Sequence, residues 1–251
     1  MRGLESILRG AQRPLPPVRE ARAVWRTYRS EQYGYAGGAR MLSHDGNAKL
    51  AKGDRKIYGL TLLPHEASGV NVCPFATDGC AAACVLMTAG RGVMSNVRRA
   101  REAKTLFASE HPEHFLAILL AELSSLASSG AVVRLNVASD IRWEYVIPEA
   151  FSLDLDYYDY TKWPTGSRAP RDNYRIVYSR NERDGDAPAV DYLAQGGTTA
   201  VVFADMPSQW HGFPVIDGDA HDDRTVEPEG VVIGLKAKGD ARKDTTGFVV
   251  H

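Results

Sequence analysis

Seven short apolar runs, spaced along the chain from residue 56 onward, constrain the fold of this sequence more than any other feature. Each run is short enough to be a buried strand and is bounded by Gly, Pro or polar residues. Loops or short helices separate the later runs, so the pattern favours a mostly parallel sheet over an antiparallel meander. The runs are 56–63, 131–137, 155–160, 174–179, 199–203, 213–216 and 230–235. Seven such strands predict an α/β fold, specifically an irregular or partial (β/α) barrel.

The first 45 residues differ in composition from the rest of the chain. They contain Pro14, Pro16 and Pro17 and a Gly-rich segment at 34–38, so we expect loose structure there apart from a helix over 18–30. Residues 1–56 carry twelve basic side chains against five acidic ones, whereas the whole chain is almost balanced, with 30 against 31. We therefore predict a basic, Pro/Gly-rich extension at 1–45 and an α/β barrel-like domain at 46–251.

Two helices are predicted between the first and second apolar runs. Residues 95–107 begin with a Ser that can cap a helix and place small and apolar residues on one face. Residues 112–126 start with a Pro, which suits the first helical turn, and contain no helix breaker after it.

All three cysteines of the chain, Cys73, Cys80 and Cys84, fall within one loop directly after the first predicted strand. Such density is expected of metal ligands. No signal peptide or membrane-spanning segment is recognisable, which favours a reducing cytoplasm in which disulfides are rare. Three thiolates can hold a [4Fe–4S] cluster by three corners and leave one iron open. We prefer this hypothesis to zinc, which would need His65 or a carboxylate, or less well His44, as a fourth ligand, and we rank unligated thiols last.

Polar side chains follow several predicted strands at the point where each strand ends. In parallel α/β folds these ends meet at one face, where active groups gather. We therefore assign catalysis and cofactor binding to residues at these ends. The candidate catalytic residues are Asp140, Glu144, Lys162 and Arg180, and the candidate cofactor-binding residues are Asn136, Ser139 and Ser179.

The segment 217–224 contains four Asp and one His, which are possible ligands of a hard cation. Its spacing does not match the twelve-residue calcium loop, and its Gly-Asp steps are equally typical of turns. A phosphotransfer or nuclease site built on these carboxylates is the weakest of our hypotheses because it leaves the cysteines unexplained.

A cysteine loop after the first strand of an α/β barrel resembles the layout of radical S-adenosylmethionine (radical SAM) enzymes. In that superfamily three Cys bind a [4Fe–4S] cluster whose open iron chelates the methionine part of the cofactor. The resemblance therefore implies that S-adenosylmethionine is a cofactor here. The spacing departs from the family's usual three and two residues between cysteines, because six and three residues separate them in this chain.

A second resemblance covers residues of about 47 to 250 and is to the bacteriophage family called gene product 88-like. It implies a phage origin, with the cytoplasm of an infected bacterium as the location, and brings no established activity. The residues that carry it are Cys73-Pro74, Gly79-Cys80, Cys84, Gly90-Arg91-Gly92, Arg134-Leu-Asn136, Ser139-Asp140, Trp143-Glu144, Tyr158-Asp-Tyr-Thr-Lys162, Ser179-Arg180, Asp217-Gly-Asp219, Asp222-Asp223-Arg224 and Gly234-Leu-Lys-Ala-Lys238-Gly239.

Two functions are predicted from these observations. The first is an iron–sulfur enzyme of radical-SAM-like architecture that acts on a small molecule or nucleotide, with no membrane partner. Within it, Lys162, Ser179 and Arg180 would hold a carboxylate or phosphate. The alternative is a binding protein with a structural zinc, whose basic N-terminal segment, together with Arg98, Arg99 and Arg101, contacts nucleic acid.

Overall fold

The architecture is a mixed α/β fold built on one nine-stranded sheet. A computed structural model of the chain describes residues 3–34, 40–44, 55–169 and 171–251. Its strands are β1 (Leu42–Ser43), β2 (Ile57–Leu60), β3 (Val132–Arg134), β4 (Asp156–Thr161), β5 (Tyr174–Ser179), β6 (Thr198–Phe203), β7 (Gln209–Trp210), β8 (Phe213–Asp217) and β9 (Val232–Lys236). The order across the sheet is β1-β2-β3-β4-β5-β6-β9-β8-β7.

The seven strands predicted from the apolar runs are the seven parallel strands of this sheet. Neighbours from β2 to β8 in the sheet order pair in parallel, with Tyr158 opposite Arg175 as one example. The two strands that the sequence did not predict, β1 and β7, are two residues long and pair antiparallel at the two edges. The mostly parallel sheet is therefore confirmed.

The sheet is open and does not close into a barrel. Its edge strands β1 and β7 each pair with a single neighbour in the part of the chain that the structure describes. A strand of two residues has too few backbone N–H and C=O groups to pair with a second neighbour. The two edge strands therefore cannot join each other to close the sheet. The alternation of strand and helix that is typical of a (β/α) barrel is also incomplete, because the described residues between β4 and β5 form a loop without a helix.

Eight α-helices accompany the sheet in the described residues. They are α1 (Leu4–Arg9), α2 (Val18–Tyr33), α3 (Asp78–Ala82), α4 (Val85–Thr88), α5 (Ser95–Glu110), α6 (Pro112–Leu126), α7 (Trp143–Val146) and α8 (Ala187–Ala194). Single 3₁₀ turns lie at Gly90–Val93, Pro148–Ser152 and Gly239–Lys243. The two helices predicted at 95–107 and 112–126 are confirmed as α5 and α6, and the one at 18–30 as α2.

The largest core lies between the N-terminal helices and one face of the sheet. Helices α1, α2, α5 and α6 bury Leu4, Trp25, Phe107 and Phe115 against it, and the rings of Trp25 and Phe107 are 4.7 Å apart. The loose structure expected outside the helix at 18–30 is therefore wrong for α1, which is helical over Leu4–Arg9 and packs on the core. Apolar side chains at helical spacing in α1 and α2 outweigh the effect of the intervening prolines. The division at residue 45 stays a prediction.

Alternating side chains of the central strands point to opposite faces of the sheet. Tyr157 belongs to the large core, whereas Tyr158 packs with Ile57 on the other face. The segment after β8 covers this second face, because the Tyr158 hydroxyl donates to Asp222 at 3.0 Å and the Arg224 Nε donates to the Tyr160 hydroxyl at 2.8 Å. Residues after β8 thus contact β4, although three strands separate β8 from β4 in the sheet.

Candidate functional site

Cys73 is positioned by hydrogen bonds to the segment after β3. Its backbone N–H donates to the side chain of Asn71 at 2.8 Å, and the neighbouring Val72 carbonyl accepts from the N–H of Asp140 at 2.8 Å. The Cys73 thiol lies 3.5 Å from the carbonyl oxygen of Ala138. The cysteine loop, defined here as residues 73–84, is therefore attached at its start to the carboxyl end of β3.

Cys80 lies in α3, which is held by a carboxylate from the loop after β5. The side chain of Thr77 caps the helix and accepts from the N–H of Cys80 at 3.4 Å. Glu182 accepts hydrogen bonds from the Thr77 hydroxyl and from the N–H of Gly79, each at 2.7 Å. A Cβ atom on Gly79 would lie 2.3 Å from the hydroxyl oxygen of Thr246, so only glycine fits there.

Cys84 immediately precedes α4, and two arginines of α5 hold that region. Arg101 donates to the carbonyl of Leu86 at 2.7 Å. Arg98 donates to the carbonyls of Met87 and Gly92, at 2.9 and 3.0 Å. Arg98 and Arg101 thus bind the backbone just after the cysteine loop, and their contact with nucleic acid stays a prediction. Each cysteine is thus fixed by a different part of the fold.

All three cysteines line one cavity of about 300 Å³ at the carboxyl ends of the parallel strands. Five of the seven other predicted site residues line the same cavity, together with His65. These five are Asn136, Ser139, Asp140, Lys162 and Ser179. Glu144 and Arg180 are not among its lining residues. The prediction that strand ends and cysteines converge is therefore reproduced for most of the set, while their chemical roles stay predictions.

The charges around the cavity suit anionic thiolate ligands. Burial raises the pKa of the Cys73 and Cys84 thiols, so both need a cation beside them in order to ionise. Arg101 is buried next to Cys84 and forms no ion pair with a carboxylate of the described residues. A thiolate at Cys84 that ligates a metal would compensate this buried charge. The donor set therefore fits a thiolate-bound metal centre.

Among the described residues, the cysteine loop forms no site for a single metal ion. Within the described ranges, no group of three or more His, Cys, Asp or Glu side chains is placed to hold one metal ion. His65 reaches the cavity without completing such a group with the cysteines.

Asn136 organises the loop after β3 and has no polar atom left over for a cofactor. Its side-chain oxygen accepts from the Ser139 hydroxyl, from the N–H of Ile141 and from the Trp143 indole, at 2.8, 2.9 and 3.1 Å. Its side-chain nitrogen donates to the carbonyl of Ile141 and to Asp159. If Asn136 and Ser139 contribute to cofactor binding as predicted, they would do so by holding this loop in its conformation.

Asp140 and Glu144 are both fully engaged, but in different places. Asp140 accepts hydrogen bonds from the Thr161 hydroxyl and from the N–H of Lys162, each at 2.7 Å, which joins the ends of β3 and β4. Burial raises the pKa of the Asp140 carboxyl. Glu144 forms a buried two-pronged ion pair with Arg168, at 2.7 and 3.0 Å. Glu144 therefore binds Arg168 outside the lining of the cavity, and its catalytic role stays a prediction.

Lys162, Ser179 and Arg180 lie where β4 and β5 end. The Lys162 ammonium group is 5.3 Å from the centre of the Phe248 ring and makes no ion pair with the carboxylates that the structure describes. Arg180 binds Asp186 at 2.8 Å and donates to the carbonyls of Gly247 and Phe248, so it holds the C-terminal segment. Lys162 is therefore the candidate cation with a free charge.

The acidic segment 217–224 is an internal network in this structure. Asp222 pairs with Arg134 at 3.3 Å and Asp219 pairs with Lys238 at 2.7 Å. Asp223 accepts from the backbone and hydroxyl of Thr225. These contacts within the protein engage three of the four carboxylates, and no group of three or more His, Cys, Asp or Glu among the described residues is placed to hold a metal ion there.

Two residues that sequence reasoning did not assign to the site are important for it. Glu182 caps the helix that carries Cys80, and Arg134 lines the cavity with its guanidinium 4.7 Å from the Tyr160 ring centre. Both stand at or just after a strand end, and Arg134 also belongs to the residues that carry the gene product 88-like resemblance. His44, the weaker zinc candidate, contacts Tyr58 ring to ring and does not line the cysteine cavity.

None of the helices in the described ranges combines the length and the apolar character needed to cross a bilayer.

Comparison with known families supports one of the two resemblances drawn from the sequence. A family model described as gene product 88 matches residues 41–251, which include the whole sheet and the cysteine loop. No curated protein and no solved structure matches the chain. The resemblance to radical SAM enzymes stays a prediction.

Proposed function

We propose that this chain, which belongs to the gene product 88 family, is an enzyme that holds a [4Fe–4S] cluster through Cys73, Cys80 and Cys84. The observation that carries the proposal is the convergence of these three thiols on one cavity at the carboxyl ends of the parallel strands. Active groups of parallel α/β proteins gather at that face. Three cysteine ligands leave one iron open to a cofactor or substrate.

Within this proposal the fold is a partial barrel of radical-SAM-like architecture. Strands β2 to β6 lie side by side in chain order and run parallel, as in a barrel wall. Contacts of Asp222 and Arg224 with tyrosines of β4 support a curled sheet, because the chain after β8 returns to a distant strand. The proposed cofactor is S-adenosylmethionine, and the bound cluster would supply it with an electron.

The protein's own groups would shape this site in three ways. The Glu182 carboxylate and the Arg101 guanidinium keep the loop in place around the three thiols. Asp140 fixes the backbone of Lys162 and so sets the direction of its side chain. The apolar side chains of Leu86 and Phe248 line the cavity and would exclude water from a bound cofactor.

The test is the iron and sulfide content and the visible spectrum of the full chain purified without oxygen. We expect about four irons per chain and broad absorption near about 400 nm. Cys73→Ala, Cys80→Ala and Cys84→Ala should each lose the chromophore, while the matched surface variant Ser68→Ala should keep it. One zinc per chain without colour, or full iron content in all three cysteine variants, would refute the proposal.

A second candidate function is nucleic-acid binding, which one surface feature favours. Arg19, Arg22 and Arg26 are exposed on α2 at the spacing of one helix face. Such a basic stripe binds phosphate backbones with an affinity that falls steeply with salt. Replacing all three by Gln should abolish a salt-sensitive shift with DNA or RNA, and absence of any shift for the unmodified chain would exclude this function. A structural zinc would accompany it.

A further inference from the structure

A second and larger cavity of about 670 Å³ adjoins the cysteine cavity. The two share Leu86, Lys162, Ser179 and Phe248 in their walls. A molecule in the larger cavity would therefore reach the space that the three thiols line. Its volume lies in the range typical of small-molecule sites.

The larger cavity is strongly basic. Six of its lining side chains are cationic and one is acidic, and that one, Asp222, already pairs with Arg134 at 3.3 Å. The cationic side chains are Arg91, Arg101, Arg134, Lys162, Arg180 and Lys238. This excess of positive charge in a partly enclosed space attracts an anion.

Several of these cationic side chains already form ion pairs within the protein. Fewer of them are therefore available to bind a ligand. Arg180 binds Asp186 and Lys238 binds Asp219, at 2.8 and 2.7 Å. Lys162 has no carboxylate in ion-pair range among the described residues. The Nε of Arg134 is buried and has no hydrogen-bond partner there, although its Nη1 binds Asp222. One ammonium and one N–H donor are thus left for a ligand.

The rest of the wall is apolar and aromatic. Val85, Val137, Val202, Leu235 and Phe248 line it, together with Tyr160. A purely inorganic anion would leave this wall without a partner. The ligand that fits both parts is a molecule with an anionic group at one end and a planar or apolar body.

We propose that the larger cavity binds a phosphate-bearing small molecule of nucleotide size, with its phosphate on Lys162 and Arg134 and its body towards the cysteine cavity. The role of this molecule as the enzyme's substrate rests on the proposed function, whereas its binding does not. A phosphate is preferred to a carboxylate because it carries more negative charge and three acceptor oxygens, which suits a cavity lined by six cationic side chains. The carboxylate of S-adenosylmethionine is the other anion that could bind Lys162, so the experiment also measures the binding of S-adenosylmethionine.

The experiment is calorimetric titration of the full chain with AMP, CMP, GMP and UMP, each compared with its nucleoside. We expect at least one nucleotide to bind about tenfold more tightly than its nucleoside, the difference being the phosphate contact. Lys162→Met should weaken that nucleotide by about tenfold and leave the nucleoside unchanged. Lys162→Arg should retain most of the affinity. Lys243→Met, which removes an exposed lysine outside both cavities, is the matched control.

Three results would overturn the inference. They are the absence of binding for all four nucleotides, equal affinity for nucleotide and nucleoside, and a Lys162→Met variant that weakens S-adenosylmethionine but no nucleotide. If Lys162→Met fails to fold, the comparison of nucleotide with nucleoside on the unmodified chain still decides. Iron content measured on the same samples separates the two proposals, because nucleotide binding without iron would refute only the cluster, and iron without nucleotide binding only this site.

Discussion

Glu182 accepts a hydrogen bond of 2.7 Å from the backbone N–H of Gly79, although 103 positions separate the two residues. The other carboxylate oxygen accepts from the hydroxyl of Thr77, also at 2.7 Å. The loop after β5 thereby fastens the helix that carries Cys80. The geometry of the cysteine loop therefore depends on a side chain far from it in sequence.

Removal of this carboxylate should loosen the loop. Glu182→Ala leaves two donors without their partner, so we expect the free energy of unfolding to fall by about 1 to 3 kcal/mol and the iron content of anaerobic protein to fall with it. Glu182→Gln keeps one acceptor oxygen, so its stability and iron content should lie between those of the unmodified chain and of Glu182→Ala. Glu31→Gln, at an exposed position of α2, is the control. Urea unfolding measures the change, and unaltered stability and iron content in Glu182→Ala would contradict the prediction.

Gly92→Ala should destabilise the region after Cys84. A Cβ atom there would lie 2.2 Å from the carbonyl oxygen of Leu86 and 2.5 Å from its carbon, and backbone cannot yield as a flexible side chain can. We expect a loss of about 1 to 3 kcal/mol or more. Gly10→Ala is the matched control, because its Cβ would meet only ordinary contacts at 3.5 Å. Equal unfolding midpoints for the two variants would show the close approach to be wrong.

Glu144→Ala should affect stability and leave the cavity chemistry unchanged. The glutamate is 1% exposed and its removal leaves the Arg168 guanidinium buried without its main partner. We expect a loss of about 3 to 5 kcal/mol. The double variant Glu144→Met/Arg168→Met should recover part of it. A Glu144→Ala protein with normal stability but impaired cofactor binding would contradict this expectation and support the catalytic role predicted from the sequence.

The stability of the protein should depend on pH through Asp159. Burial raises the pKa of this carboxyl from 3.8 to about 7 in the folded state. The folded chain therefore holds a proton that the unfolded chain releases. Its stabilising contribution is complete below about pH 4 and is lost as the pH rises through about 7. Urea unfolding at about pH 5 and about pH 8 should show this decline in the unmodified chain and a smaller one in Asp159→Asn, and a rise in stability over that interval would contradict it.

The sequence predicted the local elements well, because each depends on short-range patterns. The seven parallel strands coincide with the seven apolar runs, and α6 has the bounds predicted for it. The edge strands β1 and β7 were not predicted, because two residues are too few to show the alternation of apolar and polar residues that marks a strand. The packing of α1 and α2 on the core was not predicted either. The prolines between these helices and the arginines within them indicated a segment without tertiary contacts. Only contact with the core supplies the free energy that orders them.

Sequence alone was enough to say which residue types can meet at the site. Three cysteines in one loop and polar groups after several parallel strands must approach each other, since parallel strands end at a common edge. Which of these groups remain free became clear only from the folded chain. Glu144 and Arg180 are bound by Arg168 and Asp186, while the ammonium of Lys162 is not paired with a carboxylate of the described residues. Pairing depends on distances between residues far apart in the chain, and such distances are fixed by packing and not by spacing along the sequence.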